Sequence, residues 1–415
     1  MSSGSGARAQ WVREIAPVLW PVPERIDRQP PETSPRAGER DFGLFPSVGD
    51  PRLVVPLESR AAAAAVLQRW ASEGSAARRL GGQGLAFAVR AGGARAVLRG
   101  RFRVSSPGSC RGGIDGYLAQ ITGEQLLPVL LVTRPRANRK PVLELMDATG
   151  RVVAYAKVGV DPLTRSLVTR EAAALRIVAA AGLRHVRTPK VWHHGSFGDL
   201  EVLVLTPLPL SGASQTTKPE ALTAGMAEVA RVGGLREHAL EQTAYRRELG
   251  AAVERLPTAV RGELQAALHR ADDCSRGRRL WFGAWHGDWA TWNSSSRGGE
   301  LLVWDWERFA TGVPLGYDAI HHALHQLVLD PSRDTTGLVT SYAGTVAPLL
   351  ERMGVDRDAV ALTTVLYLIE ITTRYLADGQ DDVAGMRTIL SGLVNGTLAA
   401  AQALDQPAPS AGGGR

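Results

Sequence analysis

Between residues 126 and 160 short apolar runs alternate with polar turns. Leu127 to Thr133 is an apolar run of strand length. Pro141 to Met146 follows the polar loop Arg134 to Lys140, and Arg151 to Val158 follows the turn Asp147-Ala148-Thr149-Gly150. Short β-rich runs joined by tight turns predict an antiparallel meander. A helix is predicted over 167–181, where Val168, Ala172, Leu175 and Ala179 recur at core spacing and Gly182 stops the run. Val191–Trp192 and Glu201–Leu205 add two strands, giving a five-stranded sheet with one inserted helix. After Pro207-Leu208-Pro209 the periodicity becomes helical, over 219–231, 236–254, 257–273, 316–329, 336–352, 357–377 and 382–403, with one β-type island at Leu301 to Trp306. The fold class is therefore α+β: a β-rich lobe over 126–207 and a helical lobe over 208–403.

Upstream the pattern is weaker. Residues 46–125 predict a strand at Arg52–Leu57, an Ala-rich helix at Ser59–Ala71 and a strand at Arg101–Val104, together a small accessory α/β region. The glycines at 81–84 and 92–93 read as turns rather than as a phosphate cradle, because no clear strand precedes them. Residues 1–45, rich in Pro, Gly, Ser and Arg, predict an extended or disordered arm, and 404–415 a disordered tail.

Composition narrows the function classes. Of 415 residues 44% are apolar and 21% charged, enough apolar content for two or three packed units and too much for a wholly disordered chain. The two cysteines, Cys110 and Cys274, exclude a disulfide framework or a cysteine-based zinc site and suit a reducing compartment. The start lacks the apolar core of a secretory signal, and no uninterrupted apolar run approaches the roughly 20 residues that cross a bilayer. A cytoplasmic protein without membrane partners is expected. The net charge is +7, yet 44 of the 48 basic residues are arginines scattered along the chain, so nucleic acid is not an expected partner.

Candidate chemistry concentrates around residue 300. His286-Gly287-Asp288 is followed by Asn293, five residues after Asp288, and then by Leu301-Leu302-Val303-Trp304-Asp305-Trp306-Glu307. A hairpin of that length folds Asp305 back toward Asn293. Phosphoryl transfer needs an acceptor hydroxyl held in line and cations on the phosphate oxygens. Mg²⁺ takes oxygen ligands and keeps several waters, so one carboxylate and one amide oxygen suffice; Asp305 and Asn293 supply them. Asp288 is then a separate carboxylate that orients the hydroxyl and accepts its proton.

H-G-D-x-x-x-x-N followed by a strand ending in D-x-E resembles the aminoglycoside-phosphotransferase-like small-molecule kinases, a family that includes choline kinase-type enzymes and is related in fold to protein kinases. The resemblance covers about 126–400 and implies a bilobal protein-kinase-like fold with an extra N-terminal region. It implies that Asp288 is catalytic, that Asn293 and Asp305 hold Mg²⁺, and that His286 and Asp318, in Gly316-Tyr317-Asp318, support the loop. It also implies a β-lobe lysine on the nucleotide phosphates paired with a helix glutamate. Lys157, inside Ala154-Tyr155-Ala156-Lys157-Val158, and Glu171, beside the apolar stripe of the 167–181 helix, match those positions.

Two departures are visible. The 134–140 loop carries no glycine, so either Asn138, Arg139 and Lys140 cover the phosphates with side chains or the loop sits further away. Tyr155 stands where protein kinases carry a small residue over the adenine, which leaves GTP open beside ATP as donor. The implied reaction is Mg²⁺-dependent transfer of the γ-phosphate to a hydroxyl of a small molecule (aminoglycoside-, sugar- or amino-alcohol-like). The alternative is a non-catalytic kinase-like protein that binds nucleotide or a partner. A protein acceptor is disfavoured by the roughly ten residues between Asp305 and Gly316, too few for an activation segment.

Six of ten tryptophans lie between 281 and 306. Most read as core, with Trp289 and Trp292 as stacking candidates. His321, His322 and His325 read as polar positions of a helix, and Glu370 with Arg374 as a surface i,i+4 ion pair; the alternative, implied by the resemblance, is that Tyr367, Glu370 and Arg374, which share one face, wall the acceptor site.

Overall fold

The computed structural model describes the chain except residues 1–4, 31–32, 73–75, 99, 108–111, 137, 211–212, 214–216, 329–344, 381–385 and 405–415. All of the expected tail but Leu404 lies outside the described residues, as does most of the helix expected at 336–352. The chain forms two compact units, one of residues 1–169 and 190–207, the other of 170–189 and 208–415.

The first unit is built on one antiparallel sheet of nine strands. The expected meander supplies β5 (Leu127–Leu131), β6 (Val142–Met146) and β7 (Val152–Gly159). β9 (Val191–Phe197) and β10 (Leu200–Leu205) complete the expected five. Residues upstream add β1 (Arg25–Asp27), β2 (Glu39–Phe45), β3 (Leu53–Pro56) and β4 (Arg101–Ser105), and the order is β1-β4-β2-β3-β5-β6-β7-β10-β9. The β6–β7 turn forms because the Asp147 carboxylate accepts from the backbone N–H of Thr149 and Arg151 and from the Thr149 hydroxyl. The Thr149 hydroxyl bond leads the effects that pull Asp147 down to about 2.

Residues 1–45 are not an extended arm. They form α1 (Ser5–Leu19), β1 and β2. Val12, Ile15, Ala16 and Leu19 make a helical stripe that is buried against the sheet. Pro17, Pro21 and Pro23 disguise it in the sequence. Nor do residues 46–125 stand apart as an accessory region. β3 pairs with β5 in register, Leu53 with Leu131 and Val54 with Leu130. α1 and α5 (Gly113–Thr122) cover one face of the sheet; α2 (Arg60–Ser72), α3 (Ala76–Gly92) and the short α4 (Ala94–Val97) cover the other. The glycines at 81–84 are inside α3 rather than in turns. A Cβ on Gly82 would lie 2.0 Å from the Ala71 Cβ, so glycine there lets α2 and α3 approach closely. A buried polar knot ties the upstream strands to α5: Arg40 Nε meets Asp115 at 2.7 Å, and Trp20 Nε1 donates to the same carboxylate at 2.9 Å.

The second unit is mostly helical. α6 (Pro162–Ala181) passes from the first unit into it. It continues with α7 (Pro219–Ala230), α8 (Ala244–Glu254), α9 (Thr258–Ser275), α10 (Tyr317–Val328), α11 (345–353), α12 (Val360–Ala377) and α13 (Met386–Ala403). α9, α12 and α13 pack on one another.

Two three-stranded sheets replace the single β island that was expected. One is β11 (Arg236–His238), β12 (Leu280–Trp285) and β15 (Ala310–Pro314). The other is β13 (Ser294–Arg297), β14 (Glu300–Val303) and β8 (Val186–Arg187). The helix expected from residue 236 begins only at Ala244, because β11 and a short 3₁₀ turn precede it. Arg357–Ala377 is long and apolar enough to cross a membrane, but its apolar window is 72% buried within the protein, as in a core helix.

Candidate catalytic site

β12 ends at Trp285 and delivers the loop His286-Gly287-Asp288. Its backbone conformation is fixed from below by α10. Asp318 accepts from His286 N at 2.7 Å and from Gly287 N at 3.1 Å, which ties the loop to the start of that helix. Burial pushes Asp318 up to about 7 against the pull of those two donors. Gly287 has φ 85°, and a Cβ there would lie 2.2 Å from the Arg308 carbonyl oxygen. Only glycine fits between His286 and Asp288.

His286 is fully buried and joins the two halves of the motif. Its Nδ1 accepts from Asp288 N at 3.2 Å, and its Nε2 lies 3.1 Å from the Trp304 carbonyl oxygen. Those contacts require a neutral ring protonated at Nε2. Burial, the largest influence, takes its pKa down to about 4, although the Asp288 and Asp305 charges pull upward.

The hairpin forms as the spacing predicts. Ser294 pairs with Val303, and Trp304 N donates to Asn293 O at 3.1 Å, which sets Asn293 at the entry of the turn opposite the segment that carries Asp305. The Asn293 amide nitrogen donates to Asp288 Oδ2 at 2.9 Å and to the Asp288 carbonyl at 2.8 Å. The amide oxygen is therefore the end left for a cation. Asp305 takes the left-handed conformation, φ 71°, alone among the described non-glycine residues. Such strain in a residue other than glycine clusters at functional sites.

Glu171 is buried and accepts from Trp306 N at 3.3 Å. Glu171, Asp305 and Glu307 present carboxylate oxygens within 4.8 Å of one another. This all-oxygen set, with the Asn293 amide, fits a hard cation such as Mg²⁺. Glu307 is a member that the sequence reading passed over.

Asp288 has further partners that were also missed. His321 Nε2 lies 3.1 Å from Asp288 Oδ1, and its Nδ1 lies 2.9 Å from the Tyr367 hydroxyl. His321 is thus not a surface position of its helix but a buried neighbour of the candidate catalytic carboxylate. Burial would raise Asp288. The His321 hydrogen bond and the Arg374 charge outweigh that and hold the carboxyl well below its ordinary range. Burial and Arg374 both lower His321, so the ring is the neutral donor of the pair.

Arg374 is not part of a surface ion pair. Its Nη1 donates to the Gly287 carbonyl at 2.7 Å. Trp289 is fully buried core, while Trp292 is 37% exposed and sits edge-on to His325.

The remaining candidates belong to the first unit. Lys157 is half-buried on β7, opposite Val142 of β6 and Leu203 of β10. Tyr155 shares its face, and its hydroxyl donates to Glu144 at 3.4 Å. Glu144 is in turn paired with Arg69 of α2. Asn138 is half-buried in the 134–140 loop. The Arg139 guanidinium stacks over Trp11 of α1, 3.7 Å from the ring centroid, and burial lowers its pKa to about 10. The helix that was expected to be a loose arm thus takes up the side chain offered to the phosphates.

No protein-family model matches the chain, and no curated protein matches it. Among solved structures it is similar to the apo form of a thermostable mutant of aminoglycoside phosphotransferase APH(4)-Ia, with 12% identity over 71% of this chain and 100% of that one (TM-score 0.46). It is similar to a putative fructosamine-3-kinase from Haemophilus somnus 129PT, with 14% identity over 69% of this chain and 96% of that one (TM-score 0.42). It is also similar to a choline/ethanolamine kinase family protein from Mesorhizobium loti, with 16% identity over 66% and 88% (TM-score 0.41).

Proposed function

We propose that the chain is a small-molecule kinase that moves the γ-phosphate of ATP, or of GTP, to an acceptor hydroxyl. The observation that carries this reading is the setting of Asp288. One carboxylate oxygen is held by Asn293 and the other by His321, on a loop that His286 ties to the residue before Asp305.

In this reading Asn293 and Asp305, with Glu171 and Glu307 beside Asp305, hold Mg²⁺, which when bound neutralises charge on the phosphate oxygens. Lys157 is the lysine proposed for the α- and β-phosphates, and Asn138 the loop residue proposed to cover them. Asp288 accepts a hydrogen bond from the acceptor hydroxyl and aims its oxygen at the phosphorus. Because its pKa is held low, it is a weak base and takes the proton late, once the oxygen has begun to bond.

An open cavity of about 1240 Å³ in the second unit is the proposed room for the acceptor. Its wall includes Trp285 and Arg374, next to the loop. Five arginines and four carboxylates line it. Mixed charge of this kind suits a neutral or zwitterionic polyol better than a polycation, which calls for an acidic wall.

The test is Asp288→Asn. Turnover should fall by about three orders of magnitude or more while nucleotide affinity stays within about twofold, since the amide cannot take the proton. Turnover within tenfold of the parent rejects the assignment. The non-catalytic reading is favoured instead if the parent protein is stabilised by Mg·ATP yet phosphorylates nothing in a broad panel of hydroxyl compounds.

A further inference from the structure

α10 presents His321 and His325 four residues apart, one turn of helix, with ring centroids 4.3 Å apart. One ring nitrogen from each and a carboxylate oxygen of Asp288 lie within 4.8 Å of one another. We propose that Asp288, His321 and His325 form a binding site for a borderline transition-metal ion, Zn²⁺ above all, distinct in chemistry from the all-oxygen site around Asp305, and that the ion bound there blocks Asp288.

Three features carry the inference. First, the donor set is two imidazoles and one carboxylate. Two histidines at i and i+4 on one helix face, completed by a carboxylate, leave a fourth position for water, the usual form of an open zinc site. Mg²⁺ prefers oxygen donors and is selected against here.

Second, the spacing is close to that of an occupied site. His321 Nε2 and Asp288 Oδ1 are 3.1 Å apart. Zinc bonds of about 2.0–2.1 Å set the edge of a coordination tetrahedron at about 3.3 Å. The pair need open by only a few tenths of an ångström, and a ring nitrogen of His325 already lies within 4.8 Å of both.

Third, the outer nitrogens are already held. His321 Nδ1 contacts the Tyr367 hydroxyl at 2.9 Å, and His325 Nε2 contacts the Tyr375 hydroxyl at 3.2 Å. Both tyrosines come from α12. A hydroxyl both donates and accepts, so Tyr367 serves either tautomer of His321: it donates while Nε2–H is bonded to Asp288, and accepts from Nδ1–H once Nε2 binds the metal. Binding thus needs a tautomer change and no proton loss from the ring. Trp292, edge-on to His325 at 5.0 Å, limits the swing of that ring. Arg374 is the nearby cation that opposes the ion, so the site is expected to bind reversibly rather than as a permanent structural centre.

The binding claim stands on this geometry alone; its inhibitory consequence rests on the reading of Asp288 given above. The experiment separates them. The full chain, treated with chelator and dialysed, is titrated with zinc chloride by calorimetry in millimolar Mg²⁺ and without nucleotide. One Zn²⁺ per chain is expected, with affinity at least tenfold lower in both His325→Gln and Asp288→Asn. Co²⁺ in place of Zn²⁺ should give the intense visible bands of a four-coordinate ion in the parent and not in the variants. Metal-free melting curves identify which variants are folded, and either folded variant decides the matter. No stoichiometric binding by the parent, or equal affinity in a folded variant, overturns the site. Zinc inhibition of phosphoryl transfer that excess Mg²⁺ does not relieve is the expected consequence. If zinc binds as described but transfer is untouched, the blocking of Asp288 is overturned and the metal site remains.

Discussion

Asp305 gives up favourable backbone geometry to hold its position. A non-glycine residue in the left-handed region costs of the order of 1 kcal/mol, and it persists where neighbours over-determine it. Here β14 delivers it and the Glu171 carboxylate holds the next backbone N–H. If that placement serves a cation, Asp305→Ala should weaken Mg·nucleotide affinity by tenfold or more and leave nucleotide affinity in EDTA unchanged. Equal calorimetric affinity in Mg²⁺ would remove Asp305 from the ligand set. His286 lends itself to a pH test. Its pKa is about 4 in the folded protein against about 6.5 in an unfolded chain. Between those values the unfolded chain binds a proton that the folded one refuses, so the histidine costs stability as pH falls. Stability of the parent minus that of His286→Gln should be flat above pH 7. It should fall by about 1.4 kcal/mol per pH unit between about 6.5 and 4, measured by urea unfolding. A difference that stays constant down to pH 4.5 would mean that the buried ring charges without penalty. These residues were legible because the motif is local: twenty positions, 286 to 305, contain Asp288, Asn293 and Asp305.

At the scale of elements the sequence says less, because the partners of the loop are distant in the chain. His321 meets Asp288 across 33 residues, and Arg374 meets Gly287 across 87. In a helical wheel His321 is only a polar residue three after Asp318; nothing local says that α10 turns both toward the same loop. Arg374 and Glu370 fit the spacing of an ordinary ion pair for the same reason. Strand β12 hid differently. Its aromatic run is short, and its partners β11 and β15 lie on either side of it in sequence with β13 and β14 intervening. α12, by contrast, was legible as a helix from its apolar content, and its burial explains that content. Arg374→Met is the test of this level. It removes the donor to a loop carbonyl, which costs about 1–3 kcal/mol where the carbonyl is left without a partner. It also loosens the loop that carries Asp288. The turnover number should drop by ten- to a hundredfold with the Michaelis constant for nucleotide unchanged, and Arg374→Lys should recover part of it. A rise in that Michaelis constant alone would place Arg374 in nucleotide binding instead.

The whole molecule departs most from what composition suggested. The expected division set residues 1–125 aside, yet the first unit has a single sheet whose strands come from both sides of that boundary. Proline, glycine and arginine mark solvent-exposed chain in most sequences, and here they accompany segments whose apolar positions are few but all used. Phe42 and Phe102 stack, Trp20 packs against both, and their neighbours in the same cluster include Leu130, Leu143 and Ala156 from the expected β-rich lobe. A chain starting at residue 123 would lose β1 to β4 together with α1 to α5. It would expose the β5 edge now paired with β3 and both faces of the meander. An unpaired edge flanked by Leu127, Val129 and Leu130 is a template for aggregation. Residues 123–415 should therefore be insoluble, or bind a hydrophobic dye and melt without cooperativity, although every residue of the proposed site is retained. The milder change Trp20→Ala should cost about 3–5 kcal/mol in the intact chain, since it empties the ring's place and strips a donor from Asp115. If residues 123–415 instead melt cooperatively and match the full chain in Mg·ATP-dependent stabilisation, the upstream strands are an addition to a self-sufficient unit. The shared core would then be a consequence of packing rather than a condition for it.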